Sequence, residues 1–419
     1  MKFSFFFVVS PSEAMSRVLQ EAIFSCRKKG TLVFLKESLR ISMREINYLA
    51  SKPHYELLDG LRGVAAVLVV CFHLLEAHSG GNHLNQIINH GYLAVDFFFM
   101  LSGYVIGYAY DDRWDRMSMW SFFKRRLVRL HPLVILGSLF GAALFYFQKS
   151  AIFPKWEGTP VSTLLLVMLL GCTLLPLPLK YDIRGWTEIH PLNGPAWSLY
   201  FEYIGNILYA LVIRRLPTFV LAFLVAVAGG FTIYHGVTSP TGDMVGGWAL
   251  NWEQQSIGFI RLAYPFAMGL LMARLGWKIR VKGAFGWASL LVFVILALPR
   301  FGGTSAYWVN GLYEALAIIF VFPVIVMIGA GGTTVGKISS ATCKFLGDIS
   351  YPIYITHFPM ILIYTAWAAN TQATIAQGLP WMILCVVLSI TVAFIALEFY
   401  DKPLRRWLTD RILKRTKEN

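Results

Sequence analysis

The stretch LDGLRGVAAVLVVCFHLLEAH at residues 58–78 decides the fold class, because its long apolar run holds few ionisable side chains. A helix of about 20 apolar residues crosses the hydrocarbon core of a bilayer, which is roughly 30 Å thick. Arg62 lies near the start and His73 lies eleven residues later. Eleven steps exceed three full turns by about 20°, so both side chains share one helix face, roughly 16 Å apart along the axis. This face is a candidate functional surface, with a snorkelling arginine and a packed histidine as the alternative.

The composition of the whole chain also indicates a membrane protein. Of 419 residues, 56% are hydrophobic and 14% are charged, whereas about a quarter of the residues in a soluble domain are charged. Lys and Arg number 37 against 23 Asp and Glu, and this surplus falls between apolar runs. These figures exclude a disordered protein, a soluble cytosolic enzyme and a soluble nucleic-acid binder, so no nucleic-acid partner is expected. The five scattered cysteines form no CxxC pair, and no metal site is expected.

Apolar segments follow one another along the chain, and we count eleven. They lie near residues 60–77, 91–110, 131–148, 161–179, 195–213, 217–235, 256–274, 284–298, 312–329, 349–368 and 381–399. Because Lys and Arg mark cytoplasmic loops, ten crossings fit the basic clusters better than eleven. Segment 161–179 contains Pro176 and Pro178 and suits a re-entrant element, with a full span as the alternative. The sequence therefore predicts an all-α polytopic membrane protein, a bundle of about ten transmembrane helices in the inner membrane with both termini cytoplasmic.

The two ends of the chain are predicted to lie outside this bundle. Residues 1–54 are interpreted as a cytoplasmic N-terminal extension, residues 55–402 as the transmembrane domain and residues 403–419 as a basic cytoplasmic tail. The first fourteen residues loosely resemble a signal peptide, but cleavage there would leave the following basic stretch outside, against the charge bias. A true start at Met43 is the alternative to an extension.

Two carboxylates fall inside predicted spans. Asp96 stands among phenylalanines in the second segment, and Glu202 follows Trp197 and Ser198 in the fifth. A buried carboxylate needs a partner. Asp96 is therefore predicted either to orient His73 and raise its basicity, or to make a structural hydrogen bond to Arg62 or to a helix end. Both carboxylates enter from the same side at the depth of His73, as a shared pocket requires.

Basic residues and a second histidine complete the candidate set. Arg125, Arg126 and Arg129 precede the third span. Such a cluster either anchors topology and anionic lipid or binds the phosphates of a ligand. His357 lies in the middle of a late span, just after Tyr351, and is either a pocket residue or a core histidine.

Five separated motifs, taken in order, resemble the membrane-bound acyltransferase-3 family, whose bacterial members O-acylate cell-surface and exported glycans. They are Arg62 with His73, Asp96 to Gly103, Arg125 to Pro132, Trp197 to Glu202, and Ser350 to Pro359. The likeness covers about residues 55–410, and the shared order of five motifs makes it specific. Residues 1–50 depart from the pattern, and no extracytoplasmic hydrolase-like domain is expected to follow.

The resemblance implies an enzyme that transfers an acyl group, most often acetyl, to a carbohydrate hydroxyl at the outer face. The donor is cytoplasmic acyl-coenzyme A, which is a substrate, so no permanently bound cofactor is expected. The resemblance further implies that Arg62 lies along the path of the pantetheine arm. The coenzyme A phosphates would be held by Arg125, Arg126 and Arg129.

In the site that the resemblance implies, His73 is the general base or carries the acyl group itself. Its ring would be oriented by Asp96 or Glu202. Substrate contacts are expected from Trp197, Ser198, Tyr351 and His357. The rival interpretation is an exporter of a glycan or lipid-linked precursor, which predicts an inverted repeat that the sequence does not show. A non-catalytic scaffold would leave the intramembrane charges unexplained.

Overall fold

A computed structural model describes residue 52 and residues 54–414, and this part of the chain is helical, without β-strands. The predicted extension at residues 1–54 lies almost entirely outside the described residues. We label the helices α1 Glu56–Ser79, α2 Ala94–Tyr110, α3 Met119–Phe145, α4 Val161–Gly171, α5 Ala196–Leu211, α6 Thr218–Thr238, α7 Trp252–Leu275, α8 Ala284–Ala297, α9 Tyr307–Gly331, α10 Lys337–Thr371 and α11 Ile375–Leu413. Each predicted apolar segment thus contains a helix.

The lengths of these helices confirm a polytopic membrane protein. Eight helices in the described part of the chain are long and apolar enough to cross a bilayer. Helix α10 has 35 residues and is also long enough, although its middle is more polar. Helix α8 has 14 residues and α4 has 11, so α4 rises only about 16 Å, roughly half of the hydrocarbon core. A bundle of about ten transmembrane helices is consistent with this architecture.

The segment at 161–179 enters and leaves the bundle on the same side. Helix α4 ends at Gly171, and the chain returns through an irregular segment that contains Pro176 and Pro178. The Thr159 side chain, just before α4, donates a hydrogen bond of 3.4 Å to the carbonyl oxygen of Ile183, just after the return. The flanks of the segment therefore meet, as a re-entrant element requires.

Local sequence explains where several helices begin and end. Ser118 caps α3 by accepting the backbone N–H of Ser121 at 3.1 Å, and Asn251 caps α7 in the same way. Thr374 and Gln377 form a reciprocal capping box at the start of α11. At the other end of α7, Gly276 adopts a left-handed φ of 66°, which glycine tolerates without steric cost. The bounds of the helices thus follow from short polar signals between apolar runs.

Small residues let two pairs of helices pack closely. Gly63 of α1 faces the backbone of Leu346 in α10, and a Cβ at this position would collide with the Leu346 carbonyl oxygen. Gly103 of α2 likewise faces the Phe266 carbonyl of α7. Such contacts are typical of helix pairs in membranes, where small residues permit close approach. The α1–α10 pair and the α2–α7 pair hold five of the eleven candidate residues, and α3 and α5 hold the other six.

The bundle has two chemically different ends. The basic end carries Arg113, Arg214, Arg274, Lys337 and Lys402 on helix termini. There Arg274 forms a 2.6 Å ion pair with Asp111 and donates to the Leu216 carbonyl oxygen at 2.8 Å, which ties α7 to α2 and to the end of α5. The loop end consists of the loops at 80–90, 146–160, 172–195, 239–251 and 298–306. Helix α11 continues through residues 403–413 of the predicted tail.

Candidate active site

His73 lies on α1 about two turns before the loop end. Its Nδ1 is 2.7 Å from Oε2 of Glu76, one helical turn further on. Because a carboxylate accepts, Nδ1 carries the proton and Nε2 is left as the basic nitrogen. The imidazole retains 19% exposure, so it is not sealed inside the protein. The orienting carboxylate is thus Glu76 from the same helix, rather than Asp96 or Glu202 as the sequence predicted.

A second histidine packs against the first. The rings of His73 and His357 are stacked, with centroids 5.8 Å apart and planes inclined by 27°. His357 is fully buried on α10 and donates from Nδ1 to the Ile353 carbonyl oxygen at 2.9 Å. Its Nε2 has no hydrogen-bond partner among the described residues. An orphan buried acceptor beside an accessible imidazole indicates room for a polar ligand or water.

The loop after α4 brings a second carboxylate, that of Glu188, to this group. Asp182 accepts the backbone N–H groups of Gly185 at 3.0 Å and Thr187 at 2.8 Å, which shapes the turn before Glu188. Glu188 is buried close enough to Glu76 for their charges to interact. Burial raises the pKa of Glu188 to about 8, against the opposing effect of the Arg184 guanidinium.

The Glu188 carboxylate and the ring of Phe358 both lie beside Gly194, and this brings the carboxylate near the two histidines. A Cβ on Gly194 would lie 2.8 Å from Glu188 Oε1 and 2.7 Å from the ring of Phe358. That same ring contacts His73 edge-on, with centroids 5.2 Å apart. We name His73, Glu76, His357 and Glu188 the histidine cluster.

A separate polar cluster lies nearer the basic end. Arg126 of α3 and Ser102 of α2 both donate to Oε1 of Glu202 in α5, each at 2.7 Å. Arg62 of α1 donates from Nε to Ser350 Oγ at 2.9 Å and also pairs with Asp59. Arg126 is buried, and its Nε has no partner in the described chain. We name Arg62, Arg126, Arg129 and Glu202 the arginine cluster, because the last three all interact electrostatically with Arg62.

Arg125 and Arg129 extend this cluster toward the basic end. Arg125 is exposed and Arg129 is half-buried on the same helix as Arg126. A graded set of guanidinium groups, from exposed to buried, suits an anionic ligand that enters from the basic end. The structure thus brings Arg62 and Glu202 to the predicted phosphate-binding arginines, and keeps both apart from the partners of His73.

Asp96 belongs to a third, fully buried arrangement. Both of its carboxylate oxygens accept from Arg261 of α7, the shorter distance being 2.6 Å. Arg261 also donates to the Tyr92 carbonyl oxygen at 2.7 Å and packs on the ring of Trp197, 5.1 Å from its centroid. The Arg261 guanidinium thus has a counter-charge, hydrogen-bond acceptors and an aromatic ring to pack on. Asp96 and Trp197 therefore lock α2, α5 and α7 together.

The other side chains that were predicted to contact substrate form hydrogen bonds within the protein. Ser198 Oγ is 2.6 Å from the hydroxyl of Tyr354. Tyr351 donates to the Leu130 carbonyl oxygen at 2.7 Å, close to the arginine cluster. Among the described residues, no group of three His, Cys, Asp or Glu side chains is placed to hold a metal ion.

Sequence reasoning missed Glu76, Glu188 and Arg261. Glu76 was visible in the first stretch, because positions i and i+3 of a helix are neighbours. Glu188 and Arg261 carry no local signal, since their partners are distant in the chain.

Comparison with known proteins identifies the family of this chain. Residues 55–398 match the acyltransferase-3 family model, which describes an acyltransferase domain. The chain belongs to the acyltransferase-3 family. It is therefore a multi-span membrane enzyme that transfers acyl groups, and the histidine and arginine clusters both lie inside the matched region.

Relatives of this acyltransferase-3 protein differ in length. It is 23% identical over 366 residues to O-acetyltransferase OatA of Staphylococcus aureus, covering 83% of this chain and 57% of OatA. It is 27% identical over 327 residues to acyltransferase MdmB of Streptomyces mycarofaciens, covering 73% of this chain and 78% of MdmB. Protein 2 in the picA locus of Rhizobium radiobacter is 34% identical over 165 residues, 37% of this chain and 80% of that protein. The chain thus spans little more than half of OatA, and no solved structure matches it.

Proposed function

We propose that this acyltransferase moves an acyl group, acetyl in the simplest case, from cytoplasmic acyl-coenzyme A to a carbohydrate hydroxyl at the opposite membrane face. The observation that carries the proposal is the placement of two different clusters on α1. The arginine cluster includes Arg62 and the histidine cluster includes His73, roughly 16 Å apart along the helix axis. A donor with phosphates at one end and a thioester at the other fits this separation. OatA and MdmB, an O-acetyltransferase and an acyltransferase by name, agree with acyl transfer.

The basic end supplies the donor site in this proposal. Its surplus of Lys and Arg favours the cytoplasmic side of the inner membrane, where both described chain ends also lie. Arg125 and Arg129 bind the coenzyme A phosphates at the mouth, while Arg126, held by Glu202, binds deeper. Arg62 lies between these residues and His73 on the path of the pantetheine arm.

The chemistry follows from the tautomer of His73. Glu76 holds the proton on Nδ1, so Nε2 accepts the proton of the acceptor hydroxyl as its oxygen attacks the thioester carbonyl carbon. The tetrahedral intermediate then collapses, the carbon–sulfur bond breaks, and the thiolate leaves with the proton from Nε2. In the alternative order, Nε2 attacks the thioester carbonyl carbon first and the thiolate leaves. The hydroxyl oxygen then attacks the acyl carbon, the bond from that carbon to Nε2 breaks, and the hydroxyl proton passes to the thiolate.

Labelled acetyl-coenzyme A consumption by the full chain in lipid nanodiscs tests the proposal. Wild type is compared with His73→Ala and with His78→Ala, a matched control on the same helix whose ring bonds to the Ala373 carbonyl oxygen at 3.1 Å. Label leaves coenzyme A with wild type and with the control, and stays there with His73→Ala. Equal turnover by wild type and His73→Ala would overturn the role of His73. Label that remains on denatured wild-type protein identifies the acyl-imidazole route.

A further inference from the structure

A polar cavity of about 640 Å³ opens at the loop end. It lies among the loop after α1, the end of α6, the start of α7 and the loop before α9. Its walls include two aromatic residues, Trp248 and Tyr307, and three charged residues, Asp243, Glu253 and Arg300. The volume is within the range of sites for small organic ligands. None of these residues belongs to the histidine cluster or the arginine cluster.

The lining of this cavity contains a buried ion pair. Arg300 NH1 is 3.3 Å from Asp243 Oδ2, and the two side chains are 6% and 8% exposed. The Arg300 guanidinium also packs against the ring of Tyr307, 5.9 Å from its centroid. Arg300 Nε has no partner among the described residues, and neither has Nε2 of His235 at the cavity wall. Both nitrogens are enclosed by the protein, so the polar character of the cavity comes from the other side-chain groups of its lining.

The cavity is joined to the histidine cluster by short connections. The Trp248 carbonyl oxygen accepts the backbone N–H of Ile189 at 2.8 Å, and Ile189 directly follows Glu188. On the other side, Gly81 lines the cavity about two helical turns after His73. Gln86 in the same loop donates to the Phe72 carbonyl oxygen at 3.0 Å. The cavity and the histidine cluster are therefore neighbours at the loop end, about two helical turns apart along α1.

The lining matches the chemistry of a sugar. A pyranose has an apolar face of C–H groups, which packs on aromatic rings such as Trp248 and Tyr307. Its rim of hydroxyl groups both donates and accepts, as the carboxylates and Arg300 require. A lipid tail would offer no hydrogen bonds to the polar side chains of this lining. Two carboxylates face one arginine, and this balance disfavours anionic sugars.

We propose that this cavity binds uncharged sugar units of the acceptor glycan next to the unit that is acylated. The inference rests on the proposed function, because it assigns the acceptor side of the same reaction. It makes Trp248 and Tyr307 determinants of acceptor affinity without a part in the chemistry.

Glycan binding measured without turnover tests this assignment. Maltotetraose, chitotetraose and tetragalacturonic acid are titrated against the full chain in nanodiscs by calorimetry, using the His73→Ala variant. At least one neutral tetrasaccharide binds and the anionic one does not. Adding Trp248→Ala weakens the binding about tenfold, the effect of one lost aromatic contact. Trp252→Ala is the matched control, because Trp252 is 88% exposed nearby and does not line the cavity.

Two further measurements separate this inference from the proposed function. Glu253→Gln, a conservative change at an exposed position, weakens the same neutral glycan and guards against misfolding of the tryptophan variant. In turnover assays on the His73-containing chain, Trp248→Ala raises the KM for the glycan about tenfold and leaves the KM for acetyl-coenzyme A unchanged. Binding that depends on Trp248 without any acyl transfer would overturn only the proposed function. Absence of neutral glycan binding, or binding insensitive to Trp248, would overturn the cavity assignment.

Discussion

Nδ1 of His73 and Oε2 of Glu76 lie 2.7 Å apart within a single turn of α1. A carboxylate that is fixed by the same helix as the imidazole needs no other element to be in place. The hydrogen bond of the pair is therefore set by the spacing of two residues on one helix. This makes its contribution to catalysis separable from its contribution to folding.

Glu76→Gln is expected to lower kcat at least about a hundredfold, because the amide neither stabilises the imidazolium nor holds the Nδ1 proton as firmly. The KM for acetyl-coenzyme A stays within about twofold, since the donor phosphates bind elsewhere. Steady-state turnover in nanodiscs measures both constants. Glu157→Gln, at an exposed loop position, serves as the control. Wild-type kcat in Glu76→Gln would remove the carboxylate from the mechanism.

Arg129→Ala is expected to raise the KM for acetyl-coenzyme A about tenfold with little change in kcat, because it removes one phosphate contact. The rise in KM caused by Arg129→Ala is smaller with acetyl-dephospho-coenzyme A if the lost contact is to the 3′-phosphate. Lys124→Ala is the matched control on the same helix, since its ammonium lies over the ring of Trp120 at 5.4 Å. Equal KM values for Arg129→Ala and wild type would leave this arginine as a topology anchor.

Asp96→Asn is expected to destabilise the fold by about 3 to 5 kcal/mol, because it leaves the buried Arg261 guanidinium without its counter-charge. Thermal unfolding in nanodiscs measures the loss. The fraction that remains folded keeps the KM values of wild type, since neither residue contacts the histidine cluster. A stable Asp96→Asn protein with impaired kcat would return Asp96 to the catalytic site.

Glu188 is expected to make stability depend on pH. Burial raises the pKa of its carboxyl from the ordinary 4.5 to about 8 in the folded protein. The folded state therefore holds a proton that the unfolded chain has released. Stability from this group is full below pH 4.5 and is lost as the pH rises toward 8, by an amount on the order of a few kcal/mol. Glu188→Gln flattens the curve of melting temperature against pH in this window, and an unchanged slope would contradict the burial of this carboxyl.

The sequence predicts the spans well because each depends only on a local apolar run. It also predicts the re-entrant segment, since Pro176 and Pro178 and the charge bias act on the same stretch. The partners of buried charged residues are not predicted as well as the spans. Asp96 was expected either beside His73 or in a structural hydrogen bond to Arg62 or a helix end, and its partner is Arg261, 165 positions away. No spacing rule connects two helices whose contact depends on Gly103 and its neighbours, so a buried charge reveals the need for a partner but not which one.

The hydrogen bond between Thr159 and Ile183 joins the two flanks of the re-entrant segment. The segment therefore adds no crossing, and this determines the direction in which each later described helix runs. One extra crossing there would invert every later helix and carry Glu202, Arg261 and His357 to reversed depths. Because the segment turns back, α5 starts at the loop end and each later helix alternates from there. Orientation of more than half of the enzyme is thus decided by about twenty residues that never reach the far side.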